Sequence, residues 1–163
     1  MRLWEISTQR VENQPASQLT PEQWATQSQC EAWDVREVAA HVLSPFDMGF
    51  GAFLGGMVKS GFNINKMSIQ RTARFAEDLS PEQIVQMLRA EAENRWTPPV
   101  PGIGAEIPLS EIVVHSQDIR RPLGLECTVP QETIEFCLAS TKNDKAREDF
   151  RQRIGEVVDI KPT

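Results

Sequence analysis

Histidine is scarce in this chain of 163 residues, which has only two, and cysteine is nearly so, with three. The cysteines, Cys30, Cys127 and Cys137, are odd in number and form no CxxC pair, which excludes a disulfide framework and a four-cysteine zinc site. That usage points to a reducing, cytoplasmic setting. No apolar run is long enough to span a bilayer: the longest, Phe46 to Val58, is interrupted by Asp47 and four glycines. The first residues, Met1 to Ser7, have neither a long apolar core nor a cleavage signal. There is no excess of basic charge either. The net charge of −6 disfavours nucleic acid and anionic membranes as partners. The glycines at 49, 51, 55 and 56 follow an inferred helix rather than a strand, so no phosphate-binding loop is expected.

What the chain has is helix punctuation. Thr20-Pro21-Glu22-Gln23 and Ser80-Pro81-Glu82-Gln83 are both capping boxes with proline at the first helical position. Asp34-Val35-Arg36-Glu37 starts another helix, whose apolar face is Val35, Val38, Ala39, Val42 and Phe46, with His41 beside that stripe and a bend expected near Pro45. Residues 1–14 read as an amphipathic helix. Gly51 and Gly55 are spaced for close helix packing. The polar stretch 63–77 reads as a loop and then a short helix carrying Gln70, Arg71 and Arg74. Ser80 to Trp96 is a helix with Ile84, Met87, Leu88, Ala92 and Trp96 inward, and the proline-rich run 97–104 is a loop. Pro130 to Thr141 is a further helix. With no convincing sheet, the fold class is all-α: an up-and-down four-helix bundle with a long crossover and short extra helices. Residues 1–141 form the bundle domain. Residues 142–163 are a charged C-terminal tail, in which Arg153 to Asp159 forms a short strand or an extended segment.

The densest chemistry lies in Pro108 to Gly124. At about 100° per residue, Glu111, His115 and Asp118 share one sector of a helix whose other sides are apolar. A buried carboxylate or imidazole needs a partner, which is either a cation or a hydrogen-bonded core network. Glu111 and His115, one turn apart, suit one ion, and His41 on a facing helix completes a set of two imidazoles and a carboxylate. Asp118 is the candidate to orient a ligand from behind, or else to cap or pair near the helix end. Arg71 and Arg74 are candidates for binding a carboxylate substrate. Cys30 has no evident histidine or cation beside it and receives no nucleophilic role. Trp33 and Trp96 read as core residues.

Cys30, Trp33, Asp34, Val35, Arg36, Val38, Ala40, His41 and Val42, followed by Glu111, His115, Asp118, Ile119 and then Leu123-Gly124, resemble the two signatures of the mycothiol-dependent maleylpyruvate isomerase N-terminal domain family, within the DinB-like superfamily. The resemblance covers residues 1–140. It implies a DinB-like four-helix bundle with a central divalent metal, usually zinc, held by His41, Glu111 and His115. It also implies mycothiol as thiol cosubstrate, its thiolate formed at the metal and attacking a small-molecule electrophile. The well-understood isomerase has a second domain that completes its site; residues 142–163 are expected to be too few for one, which counts against maleylpyruvate isomerisation itself. The expectation is therefore a metal-dependent, thiol-using enzyme of the isomerase or S-transferase type, monomeric or homodimeric. The alternatives are a non-catalytic bundle that binds a small ligand or partner, and a metal-dependent hydrolase using the same three ligands.

Overall fold

The computed structural model describes residues 18–44, 50–91, 106–125, 129–141 and 144–154. Among them are eight helices: α1 (Pro21–Trp24), α2 (Val35–Leu43), α3 (Phe50–Lys59), α4 (Ile64–Glu77), α5 (Pro81–Ala90), α6 (Glu106–Arg120), α7 (Gln131–Ser140) and α8 (Asp144–Ile154). The described residues are all-α, as expected, with no strand among them. No helix among the described residues is long and apolar enough to cross a membrane. The expected helix over 1–14, the bend at Pro45 and the proline-rich loop lie outside the described residues.

The helix starts form as their capping residues dictate. Thr20, Asp34 and Ser80 each accept from the N3 backbone N–H, while Gln23, Glu37 and Gln83 reach back to the cap. Each pair satisfies two N–H groups that a helix end leaves without partners. Asp34 carries the most consequence, because it sets where α2, and with it His41, begins. Asp34→Ala is expected to destabilise the protein by about 1 kcal/mol. A denaturant titration should register this as a lower midpoint with unchanged slope.

α2 packs against α4, α5 and α6, and α6 in turn packs against α7 and α8. Two apolar clusters result. One joins Trp24, Val35, Ala39, Ala40, Leu43, Ala76, Ile84 and Val85 from α1, α2, α4 and α5. The other joins Leu109, Val113 and Val114 of α6 to Val129, Ile134, Cys137, Phe150 and Ile154. The seam where α2 meets α6 carries the polar residues.

Three sequence expectations change. The stretch expected as a loop and short helix is a single helix, α4, of 14 residues, capped by Asn63 and burying Met67, Thr72 and Ala76. The close helix approach falls not at Gly51 or Gly55, which have open space around them, but at Gly56, where a Cβ would stand 2.9 Å from Met67 Sδ. In the expected tail, residues 144–154 form α8, so Arg153 and Ile154 are helical rather than extended, while 155–159 lie outside the described residues. Phe150 and Ile154 explain that helix: four residues apart, they bury one face against α6 and α7.

Candidate metal centre

α6 ends where the sequence implies. Gly124 takes a left-handed φ of +66°. The Leu125 N–H can then reach back to the Arg120 carbonyl at 3.0 Å. Along the preceding turns, Glu111, His115 and Asp118 lie in one stripe facing α2. His115 and Asp118 are buried, each 4% exposed. The Glu111 side chain is 58% exposed, so the stripe is not closed along its length: its carboxylate end opens to solvent.

His41 meets this stripe from α2. Its Nε2 lies 3.7 Å from Glu111 Oε2, and His115 Nε2 lies 3.2 Å from the same oxygen. The two rings stand edge to face, centroids 4.9 Å apart. Two nitrogens from different helices thus converge on one carboxylate oxygen, and the three ligating atoms lie within 4.8 Å of one another. Ligands bound tetrahedrally to a zinc-sized cation at about 2.1 Å would be roughly 3.4 Å apart. The observed separations of 3.2 and 3.7 Å bracket that spacing. In donor type and in these two separations, His41, Glu111 and His115 could hold a divalent cation.

Each ring is steadied from behind. His115 Nδ1 is 2.8 Å from Asp118 Oδ2. His41 Nδ1 is 3.3 Å from Thr72 Oγ1 and 3.4 Å from Ser68 Oγ, both on α4. With Nδ1 of each ring bonded to these oxygens, both Nε2 atoms face the shared point, the orientation that metal-ligating histidines commonly have. Trp33 closes one side, stacked on His41 at a centroid distance of 4.5 Å and edge-on to His115 at 6.1 Å. Its indole Nε1 is buried with no hydrogen-bond partner among the described residues.

The electrostatics follow from this packing. The hydrogen bond to His115, with the His41 ring close by, holds the Glu111 carboxyl well below the usual carboxylate range. Burial disfavours an imidazolium at His115, but hydrogen bonds to Asp118, Cys30 and Glu111 outweigh it and push the ring up to about 11. Burial likewise raises the Asp118 carboxyl, and contacts with His115, Arg153 and Cys30 reverse that and lower it. The seam is a place that favours positive charge.

Two residues that the sequence did not assign belong to this cluster. The loop before α2 is fastened to α6 through Gln29 N–H to the Asp118 carbonyl at 3.1 Å, and is held internally by Ser28 Oγ donating to the Trp33 carbonyl at 2.6 Å. This sets Cys30 Sγ 3.3 Å from Asp118 Oδ2 and 3.9 Å from His115 Nδ1. The expectation that Cys30 lacks a histidine or cationic neighbour is therefore corrected, since Arg153 also comes within 3.8 Å of its sulfur. Cys30, His115 and Asp118 are themselves close enough to be a second donor set. Arg153 places its guanidinium on the same Asp118 Oδ2, however, and a cation there would face that fixed positive charge. Arg71 and Arg74 do not join the cluster. They line a separate cleft of about 490 Å³ between α3 and α4, with Lys59, Gln70 and Asp78.

Fold and site together define a helical bundle built around a histidine–carboxylate centre suited to a divalent cation. The profile of the mycothiol maleylpyruvate isomerase N-terminal domain family matches residues 13–120, and the chain belongs to that family, within the DinB-like superfamily. No curated protein and no solved structure matches the chain.

Proposed function

We propose that this protein is a metal-dependent enzyme that uses a low-molecular-weight thiol, mycothiol, in a reaction of the maleylpyruvate isomerase or S-transferase type. The observation that carries the reading is the convergence of His41 Nε2 and His115 Nε2 on one oxygen of Glu111. His41, Glu111 and His115 hold the cation, which we take to be zinc. Bound there, it supplies a position at which a thiol loses its proton near neutral pH.

The remaining steps belong to the chain's own residues. Thr72, Ser68 and Asp118 fix the ring orientations and keep the Nε2 atoms turned inward. The exposure of Glu111 leaves a solvent-side approach for the thiol and for a small electrophile. Trp33 keeps water from the far side of His41. The thiol, its proton released to solvent, attacks an activated carbon through sulfur. In an isomerisation the alkene electron pair moves onto a conjugated carbonyl, the former double bond rotates, and return of the pair expels the thiolate; in a transfer the new carbon–sulfur bond stays and the displaced group, chloride from an aryl chloride, leaves with its electron pair. Arg71 and Arg74, lining the separate α3–α4 cleft, are given no part in this step.

The test is an assay of the zinc-loaded protein with mycothiol and a small electrophile such as an activated aryl chloride, following loss of free thiol. Protein-dependent consumption that disappears in Glu111→Gln is expected. Thiol loss no faster than in the protein-free control, over a panel of electrophiles, would reject the reading in favour of a non-catalytic bundle.

A further inference from the structure

We propose that Arg153, near the end of α8, is a positioning residue of the metal centre and acts through Asp118. The proposal rests on the metal-binding reading above and extends it to a helix beyond the residues that the family profile matches.

Three donors converge on a single oxygen. Asp118 Oδ2 accepts from His115 Nδ1 at 2.8 Å, from the Cys30 thiol at 3.3 Å and from the Arg153 guanidinium within hydrogen-bond distance. The Asp118 side chain is 5% exposed, whereas that of Arg153 is 44% exposed. The arginine therefore reaches from the surface to cover a buried carboxylate. A buried carboxylate without a full countercharge is unfavourable. When His115 uses its Nε2 lone pair for a cation the ring is a neutral imidazole, and Arg153 is the remaining full positive charge against Asp118. Arg153 then holds the carboxylate where it can accept the Nδ1 proton, and that bond holds the ring with Nε2 toward Glu111. The reach is available because Ile154, the next residue, is buried against α6 and α7 and anchors the last turn of α8.

Neighbouring basic residues do not share this placement. Arg151 pairs with Glu148 on its own helix and Arg147 with Asp144, both at the surface. Substituting Arg151 therefore controls for charge on α8 without touching the seam.

The experiment measures zinc affinity of the full chain by competition with a chromophoric chelator. The variants are Arg153→Gln, Arg153→Lys, Arg151→Gln, Asp118→Asn and the double variant Asp118→Asn/Arg153→Gln. Loss of an outer partner of a ligand typically weakens metal binding about 10–100-fold, and Arg153→Gln, one contact further out, is expected at about 10-fold. Arg153→Lys should recover part of the loss and Arg151→Gln should match wild type. The double variant should bind no more weakly than Asp118→Asn alone, because the arginine acts through that carboxylate. Additive losses in the cycle, or wild-type affinity in Arg153→Gln, would overturn the proposal. A merely structural role for Arg153 would lower the melting temperature of the metal-free protein and leave the cycle additive. Failure of the wild type itself to bind zinc would remove the underlying reading, an outcome distinct from wild-type binding that Arg153→Gln retains.

Discussion

His115→Ala is expected to weaken metal binding by more than about 100-fold, beyond what the loss of an outer partner causes. It should leave the purified protein without stoichiometric metal by elemental analysis. The size of the effect follows from where the ring sits. His115 is the member of the set that is both buried and bonded through each nitrogen, Nε2 to Glu111 and Nδ1 to Asp118. Removing it leaves His41 and a largely exposed carboxylate, two donors from two helices with nothing to fix their separation. His41→Ala should act in the same direction. It should act less severely, since Glu111 and His115 stay one turn apart on a single helix and retain Asp118 behind them. Equal metal content in wild type and His115→Ala would exclude the centre, whatever the activity of either.

The readable part of this protein is the part in which local chemistry and periodicity agree. Asp34, Thr20 and Ser80 cap helices because their side-chain oxygens answer N–H groups three residues on, a relation fully contained in the sequence. The stripe Glu111, His115 and Asp118 is visible for the same reason, as is His41 beside an apolar face. What spacing could not show is how far each of these is from solvent. Glu111 sits at the open end of the seam because α2 covers the stripe only in part, and that depends on how two helices cross rather than on either one.

α4 was obscured by its polarity. Its inward positions, Met67, Ser68, Thr72, Phe75 and Ala76, recur at helical spacing, but two of them are hydroxyls where an apolar residue would mark a core face. Those hydroxyls answer His41 Nδ1, so the site itself interrupts the pattern that would have revealed the helix. Cys30 and Arg153 lie 88 and 35 residues from the Asp118 they contact. Neither has a local signal. The loop that delivers Cys30 is shaped by hydrogen bonds to the Trp33 carbonyl and to α6. Arg153 depends on a helix whose clearest sequence signature is the pair Phe150 and Ile154 within a charged background.

Chelation of the metal-loaded protein should lower its melting temperature without unfolding it. A ligand at 100 times its dissociation constant stabilises the native state by about 2.7 kcal/mol. For a domain of this size each kcal/mol corresponds to about 2–4 °C, so the midpoint should fall by roughly 5–11 °C when zinc is removed. The metal-free state is expected to remain folded because the cluster satisfies itself. The Glu111 carboxylate is hydrogen-bonded by His115 with His41 close by, and His115 is held charged by carboxylates at either end. The two apolar clusters contain none of the residues of the centre. A core network of hydrogen bonds that never takes up metal predicts a different result, the same midpoint with and without chelator. His115→Ala separates the two cases further. Its melting temperature should be indifferent to chelator, and the difference between wild type and variant should be larger with zinc present than after chelation. A midpoint in the wild type that does not move, in protein shown to be free of competing chelator and exposed to excess zinc, would mean that the seam between α2 and α6 is a structural network and not a metal centre.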